Sequence, residues 1–317
     1  FGLNQAGKKP GDPIENQYIR WHFNATLELL TMMLDYYLYS DDATFLEEKL
    51  LPTADDFMNW WEQHWKLDSN GKLLMEPSQS LETYWGIKNP TPDIAGLQWC
   101  LNELLYLSDE DIGIERRKKW SNFRDKVPEI PIYKINYGAK KYKTIAPCEP
   151  EIGKRTNCEN TRLYPIFPFR IFGLGKPDLD IAIDTFNTRF QMNFHGWGYD
   201  EICASLLGLT EDAKDMILER AFNKHKESRF PVFWGPNYDW IPDQTHGGNL
   251  LMALQLMLLQ PDREKIRLLP AWPREWNVHF KLHGPHKTKV ECKFENGSIS
   301  HLIVTPAENR KQIIQKE

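Results

Sequence analysis

The segment 76–85 (EPSQSLETYW) concentrates two carboxylates and three serine or threonine hydroxyls. It lies between two helical patterns, which predicts a loop, and catalytic groups are common on loops held by a rigid scaffold. Glu82 is flanked by Leu81, Tyr84 and Trp85, and apolar surroundings raise the pKa of a carboxyl group. A raised pKa is what a general acid near neutral pH requires. Glu82 is therefore a candidate acid, and the alternative is a solvated glutamate in a surface loop.

A second candidate carboxylate lies in the predicted loop 231–248. Asp243 comes just before His246 and a glycine pair, at the predicted start of the last helix. Cleavage of a glycosidic bond with inversion needs a base about 6.5–9.5 Å from the acid. Asp243 fits that role, with His246 to orient it and Asp239 as a competing base. It also fits the N-cap of the helix, a common position for aspartate.

Several other residues offer the polar and aromatic groups that bind sugars. The planar guanidinium of Arg162 suits hydroxyl or carboxylate oxygens, and Arg155 could share an acidic substrate with it. The alternative for Arg162 is an ion pair with Glu159. His195 and Trp197 open a predicted helix, where a buried histidine and a core tryptophan are the alternatives. The predicted substrate contacts are Glu76, Trp85, Glu159, Arg162, His195, Trp197, Trp240 and His246.

The elements that position these loops follow from hydrophobic periodicity. Helical spacing predicts helices over 18–39, 43–65, 94–107, 112–126, 178–190, 197–207, 211–225 and 247–260. Short polar connections between neighbouring helices are typical of antiparallel hairpins. Segment 128–150 is predicted to be irregular or short-stranded, and prolines make 160–169 irregular.

The pattern changes after Lys265, where apolar residues alternate with period two and 295–297 (ENG) reads as a hairpin turn. We therefore predict a mainly α chain in two parts. Residues 1–264 are expected to form an incomplete (α/α) toroid that carries the catalytic site. Residues 265–317 are expected to form a small C-terminal β segment.

Composition limits the classes of function. The chain has 317 residues, a formal net charge of -5 and no basic stripe, which argues against a nucleic-acid partner. No apolar run of about eighteen residues occurs, so no membrane span is predicted. The 12 tryptophans suit either a helical core or stacking on sugar rings.

The five cysteines are scattered and form no metal or redox motif, so neither a metal nor a cofactor is predicted. Cys100 and Cys203 lie in helical patterns and are expected to be buried. A disulfide between Cys148 and Cys158 is not predicted.

Several segments resemble, in the same order, those of glycoside hydrolase family 95, the inverting α-L-fucosidases. Residues 40–46 (SDDATFL) and 51–52 (LP) are similar to its helical hairpin, and 77–83 (PSQSLET) to its PSxSPEN loop. Its later motifs are matched by 163–168 (LYPIFP), 195–198 (HGWG), 257–260 (MLLQ) and 268–273 (LLPAWP). The resemblance covers most of residues 18–295. It implies an (α/α)6 six-hairpin toroid that acts on an oligosaccharide or polysaccharide without a cofactor.

The resemblance also assigns roles. Glu82 occupies the place of the family's general acid, and Asp243 that of its aspartate, which favours catalysis over capping for Asp243. The departures concern specificity, because the family's sugar-contacting histidines are replaced by residues such as Glu159 and Arg162. The family's amino-terminal β-sandwich and its catalytic asparagine have no counterpart here. We therefore expect a processed or fragmentary relative that works in the periplasm or outside the cell.

Three functions remain open at this stage. The first is an inverting glycosidase with Glu82 as acid, and the second is a helical toroid that binds glycans without cleaving them. The third is a polysaccharide lyase on the same fold, with Tyr84 or His195 as base and Arg162 near a substrate carboxylate. An enzyme of this type should bring segments 76–93, 155–170 and 231–248 to one face.

Overall fold

The computed structural model describes residues 16, 18–149, 154–192, 196–223, 244–263 and 265–315. The chain divides into two compact units. Unit 1 comprises Phe1–Thr31 and Leu50–Phe169, and unit 2 comprises Met32–Lys49 and Arg170–Glu317. Of the predicted site residues, His195, Trp240 and Asp243, with the competing base Asp239, lie outside the described ranges.

The first helix begins later than its periodicity predicts. Helix α1 is Ala25–Ser40, whereas the apolar pattern starts at residue 18. The Gln79 side chain accepts a hydrogen bond from Trp21 N at 2.7 Å and donates one to Tyr18 O at 2.6 Å. These backbone groups are satisfied by a tertiary contact rather than by a helical ladder. The segment before α1 is therefore held in turns.

The helix predicted over 43–65 is divided into three parts. Helix α2 is Ala43–Phe45, a π-helical turn spans Leu46–Leu50, and α3 is Leu51–His64. Asp42 is the N-cap of α2, since its side chain accepts a hydrogen bond from Phe45 N at 3.0 Å. Proline lacks a backbone N–H and is favoured at the start of a helix, which suits the position of Pro52 at the beginning of α3.

The next helical hairpin has an extra break. Helix α4 is Thr91–Tyr106, followed by α5 (Asp109–Ile112) and α6 (Ile114–Arg124). Ser108 and Asp111 form a capping box at the start of α5. Gly113 has φ +76°, a left-handed conformation that ends α5 and divides the helix predicted over 112–126.

Unit 1 also contains three antiparallel pairs of short strands. They are β1 (Lys66–Leu67) with β2 (Leu73–Leu74), β3 (Ser78–Ser80) with β4 (Tyr84–Ile87), and β5 (Ile132–Tyr137) with β6 (Lys140–Ile145). The last pair confirms the short strands expected in 128–150. The segment 76–85, predicted to be a loop, instead contains β3 and the start of β4, because Gln79 pairs with Trp85 and Ser80 with Tyr84. Segment 160–169 contains a 3-10 turn at Thr161–Leu163, with no other helix or strand.

The four helices predicted in unit 2 are present with shifted ends. They are α7 (Leu179–Asn187), α8 (Asp200–Leu206), α9 (Thr210–Phe222) and α10 (Gln244–Leu258). Helices α8, α9 and α10 pack against one another. Helix α8 is buried along its whole length, including the two acidic residues of its first turn, Asp200 and Glu201.

The strands predicted after Lys265 are confirmed. They are β8 (Lys265–Leu268), β9 (Val278–Gly284), β10 (Thr288–Glu295), β11 (Ser298–Thr305) and β12 (Ile313–Gln315), preceded by β7 (Leu259–Asp262). The strands form two sheets, ordered β11-β10-β9 and β12-β8-β7. Ile266, Leu268, Phe280, Val290 and Cys292 belong to their common apolar core. The division into domains at 264/265 stays a prediction.

The five cysteines, all within the described ranges, form no disulfide, and Cys100 and Cys203 are buried as predicted. Within the described ranges, no helix has the length and apolar character needed to span a bilayer.

Gly96 and Gly248 provide a matched test of packing in two helices. A Cβ on Gly96 in α4 would lie 2.7 Å from Leu27 Cδ1 and 2.8 Å from Phe169 Cζ, whereas one on Gly248 in α10 would meet no atom of the described residues within 4 Å. We expect Gly96→Ala to destabilise the protein by about 1–3 kcal/mol through overpacking. Gly248→Ala should stabilise it by about 0.5–1 kcal/mol because alanine is the better helix former. Urea unfolding measures both, and equal effects would contradict the packing of Gly96.

Candidate active site

The turn between β3 and β4 presents Glu82. Leu81 has φ +49°, and Thr83 N donates to Ser80 O at 3.2 Å to close the turn. Leu81 and Thr83 are buried, whereas Glu82 between them is half-buried. Trp85 fixes the turn from one side, because its Nε1 donates to Glu82 O at 2.8 Å. The Glu82 carboxyl is thus accessible at a rigid position.

Segment 155–170 lies against this turn. Thr156 N donates to Thr83 O at 2.8 Å, and Asn157 Nδ2 donates to Glu82 Oε2 at 3.1 Å. A bridge between Tyr84 and Arg155 continues the pairing. The structure therefore brings together two of the three segments predicted to share one face. Most of the third segment, up to residue 243, lies outside the described ranges.

Glu159 is the carboxylate that joins the two segments. Its Oε2 accepts hydrogen bonds from Glu82 N at 2.7 Å and from Thr83 Oγ1 at 3.0 Å. Burial raises the pKa of Glu159 to about 7, these hydrogen bonds oppose the rise, and the negative charges of Glu82 and Glu28 add to it. A raised pKa is therefore present at Glu159, which the sequence predicted only as a substrate contact. The alternative ion pair with Arg162 is not formed between these two described side chains.

Glu28 and Tyr164 extend the site inward, and sequence reasoning missed both. Glu28 on α1 accepts a hydrogen bond from Asn24 Nδ2 at 2.9 Å, and its carboxyl is hydrogen-bonded to Tyr164. Burial raises the pKa of Glu28. It raises that of Tyr164 well above its ordinary value, with help from the charges of Glu28 and Glu159. The sequence signal for Glu28 is its place as the one glutamate, with Asp35 the one aspartate, in the largely apolar α1.

Asp93, in the first turn of α4, is a third acid near this site, and it is buried. Burial raises its pKa well above the ordinary range, and the charge of Glu28 adds to that effect. The Ser78 hydroxyl partly opposes the rise. Neither Ser78 Oγ nor Asp93 Oδ2 makes a hydrogen bond of normal geometry within the described part of the chain. A protonated Asp93 would be the stable form there, because it removes an uncompensated buried charge.

Tyr84 lies beside two arginines on the same side of unit 1. Burial raises the pKa of Tyr84, and the positive charges of Arg162 and Arg155 oppose the rise. Burial lowers the pKa of Arg162, which the interaction with Tyr84 opposes. The phenol and the guanidinium groups are thus close enough to act on one substrate group.

His246 is part of a buried network in unit 2. Its Nδ1 lies 3.3 Å from Arg220 Nη1 and its Nε2 lies 3.0 Å from Arg220 O, so both ring nitrogens contact one residue. Arg220 is fully buried and pairs with Glu201, with Nε 2.7 Å from Oε1. Arg220 also donates to Gly196 O and Gly198 O. These contacts give His246 a structural partner, and its predicted substrate contact stays a prediction.

The other predicted substrate contacts that the structure describes are Glu76, Trp197 and Trp85. Glu76 is exposed, and Trp197 is half-buried with its carbonyl accepting a hydrogen bond from Asn249 Nδ2 at 3.3 Å. Trp85 is half-buried and meets the Tyr18 ring edge-on, with centroids 5.0 Å apart. Among the described residues, no cluster of histidines, cysteines and acids could hold a metal ion.

The sequence matches no protein-family model and no curated protein. The fold is similar to that of a solved structure from the human microbiome that is named as a kojibiose phosphorylase. The TM-score is 0.56 with 9% sequence identity over 88% of this chain, which spans 45% of the other. At this identity the likeness is one of fold alone, and it does not single out family 95. The chain covers less than half of that protein's length.

The raised pKa of Glu159 predicts a pH-dependent stability. Its folded-state pKa of about 7 exceeds the ordinary 4.5, so the folded protein binds more protons between those pH values. Stability should therefore fall as pH rises through this window, by at most about 1.4 kcal/mol per pH unit for one proton. Glu159→Gln should remove that contribution while keeping an acceptor for Glu82 N.

The measurement compares urea unfolding of the wild type and Glu159→Gln across this window. The test uses the difference in stability between the two proteins, because burial also raises the pKa of Glu201 to about 7 and this effect is the same in both. Glu115→Gln, an exposed change in α6, is the matched control. Parallel stability curves for the wild type and Glu159→Gln would contradict the raised pKa.

Proposed function

We propose that this protein is a carbohydrate-active enzyme that cleaves a glycosidic bond, with Glu82 as general acid. The observation that carries the proposal is the contact between two glutamates: the Glu159 carboxyl accepts hydrogen bonds from Glu82 N and Thr83 Oγ1, and the charge of Glu82 helps to raise the pKa of Glu159. The pair lies in a chain whose fold is similar to that of a protein named as a sugar phosphorylase. Protonation of a leaving oxygen needs a carboxyl group that keeps its proton near neutral pH.

The pair suits an acid catalyst for an electrostatic reason. Two neighbouring carboxylates disfavour each other's ionisation, so the pair retains a proton at a pH where an isolated glutamate has lost it. Asn157 donates a hydrogen bond to the Glu82 carboxyl and orients it. The Glu159 carboxyl is instead engaged by two donors of the turn, Glu82 N and Thr83 Oγ1. In this proposal Glu82 delivers the proton and Glu159 positions and tunes it.

The inverting mechanism requires a second group. We assign the base to Asp243, which in the resembling family occupies the corresponding place, with Asp239 as the alternative. The proposal includes the incomplete (α/α)6 toroid, hydrolysis of an oligosaccharide or polysaccharide, and a periplasmic or extracellular location. We also keep in the proposal an amino-terminal β-sandwich in the same polypeptide.

Two other reactions can be separated from hydrolysis by their products. Phosphorolysis, the activity in the structural neighbour's name, differs in the acceptor, which is phosphate instead of water. Elimination is favoured by the position of Tyr84 beside Arg162 and Arg155, since a lyase needs a base next to a neutralised substrate carboxylate. A glycan-binding protein without activity would give no products at all.

Replacing Glu82 tests the acid. We expect Glu82→Gln to lower kcat at least about 100-fold on oligosaccharides with poor leaving groups, since general acid catalysis contributes about 10²–10⁴-fold. The loss should be smaller on an activated aryl glycoside, whose leaving group needs little protonation. Glu115→Gln is the control for a surface glutamate. Nearly unchanged cleavage of a natural oligosaccharide by Glu82→Gln would show that Glu82 is not the acid.

Replacing Tyr84 separates hydrolysis from elimination. In a hydrolase, Tyr84→Phe should retain cleavage within about tenfold, and the products should be saturated sugars with new reducing ends. In a lyase the same change should remove activity, and wild-type products should carry a double bond that absorbs ultraviolet light. Products are identified by mass spectrometry, with and without inorganic phosphate, which also reveals any sugar phosphate. An unsaturated product that disappears in Tyr84→Phe would replace hydrolysis by elimination.

A further inference from the structure

The hairpin β5–β6 has a charge unlike that of the rest of the chain. Residues 132–145 contain four lysines and no acidic residue, whereas the whole protein has a formal net charge of -5. The four are Lys134, Lys140, Lys141 and Lys143, and all are exposed. None of them makes an ion pair with a described residue. The hairpin is therefore a local positive surface on an acidic protein.

The strand register places three of these four lysines on one open face. Lys134 lies directly opposite Lys143, and Asn136 lies opposite Lys141. Because side chains alternate between the faces of a strand, these four residues share one face. The opposite face carries Tyr133, Ile135 and Tyr142, which are half-buried. The lysine face therefore points to solvent, and the aromatic face anchors the hairpin.

The opposed lysines lower the stability of the hairpin, and the pairing of the two strands does not need them. Like charges directly opposite each other destabilise an antiparallel pair. One lysine on an edge strand is enough to discourage unwanted strand pairing. The face instead holds three ammonium groups and an amide at the corners of a patch of about 5 by 7 Å, from strand spacing and rise. Such a patch is complementary to closely spaced anionic groups.

The base of the hairpin is joined to the candidate active site. Thr91, the first residue of α4, donates from Oγ1 to Ala146 O at 2.5 Å and from N to Pro147 O at 3.0 Å. Cys148 packs with Tyr84 and Ile87 of β4, the strand that follows Glu82. The positive hairpin thus extends outward from the strand that carries Tyr84.

The geometry points to an acidic polysaccharide as the ligand of the lysine face, with Lys134, Lys141 and Lys143 binding carboxylate or sulfate groups of a chain whose other residues occupy the active site. This inference rests on the proposed function for the statement that the anion is a sugar polymer. It deepens that function by naming the substrate class. Arg162 and Arg155 beside Tyr84 would meet the acidic group of the sugar nearest the cleaved bond.

The observations favour a glycan over a nucleic acid. A nucleic-acid-binding domain usually spreads basic residues over a large face and is basic overall. Here the excess of positive charge is confined to one short hairpin of an acidic chain. Association through exposed lysines should also be weakened by salt, because such contacts are screened.

The test measures binding of the enzyme to polygalacturonate, with neutral dextran and a short DNA duplex in parallel. The variant is K134Q/K141Q/K143Q, and the matched control is K66Q/K118Q/K289Q, which changes the net charge equally at exposed lysines elsewhere. We expect wild type and control to bind polygalacturonate alike. The hairpin variant should bind at least about tenfold more weakly, and salt should weaken the wild type more than the variant. Dextran should show no difference among the three proteins.

Folding is checked separately by thermal unfolding. The hairpin variant should be at least as stable as wild type, because the opposed Lys134–Lys143 pair has been removed. Equal binding of polygalacturonate by the hairpin variant and the control would overturn the inference. Tighter binding of DNA than of polygalacturonate would replace the glycan by a nucleic acid. Lysine-dependent binding without cleavage would leave the inference standing and remove the proposed catalytic function.

Discussion

The candidate site depends on one buried hydrogen-bonded anion. Glu159 accepts two hydrogen bonds from a turn 77 residues earlier in the chain, one from the Glu82 backbone and one from Thr83. A buried carboxylate is tolerated only when its oxygens find donors or it takes up a proton. The turn supplies those donors only in the conformation that has Leu81 at positive φ. The position of Glu82 is therefore fixed by a requirement of Glu159.

Burial shifts the pKa values of the acids around this turn in one direction. Glu82, Glu159 and Glu28 are half-buried and Asp93 is buried. Burial raises the pKa of Glu159, Glu28 and Asp93, and the charge of Glu28 adds to the rise at Glu159 and Asp93. Among the described residues, no metal site is present to offset these effects. The carboxyl groups near Glu82 thus favour their protonated forms more than isolated carboxyl groups do.

Local periodicity predicted the helices and the C-terminal strands, but long-range contacts decided where several elements end. The Gln79 side chain is hydrogen-bonded to the backbone of Tyr18 and Trp21, so these residues lie before the start of α1. No local sequence pattern signals such a contact. The same limit applied to the site. Glu82 was recognised from its apolar neighbours in sequence, whereas the shift at Glu159 comes from neighbours in space. A lone glutamate inside the apolar run of α1 was the visible trace of Glu28.

The contacts of Arg220 affect how the helices of unit 2 unfold locally. Arg220 is a residue of α9. Its guanidinium donates hydrogen bonds to Gly196 O and Gly198 O, just before α8. Its backbone carbonyl contacts the ring of His246 in α10. One side chain with no exposed surface thus ties three helices. None of them can open alone without stranding a charge or a polar ring away from water. Amide hydrogens in α8, α9 and α10 should therefore exchange with solvent through one shared opening event, as a single cooperative block.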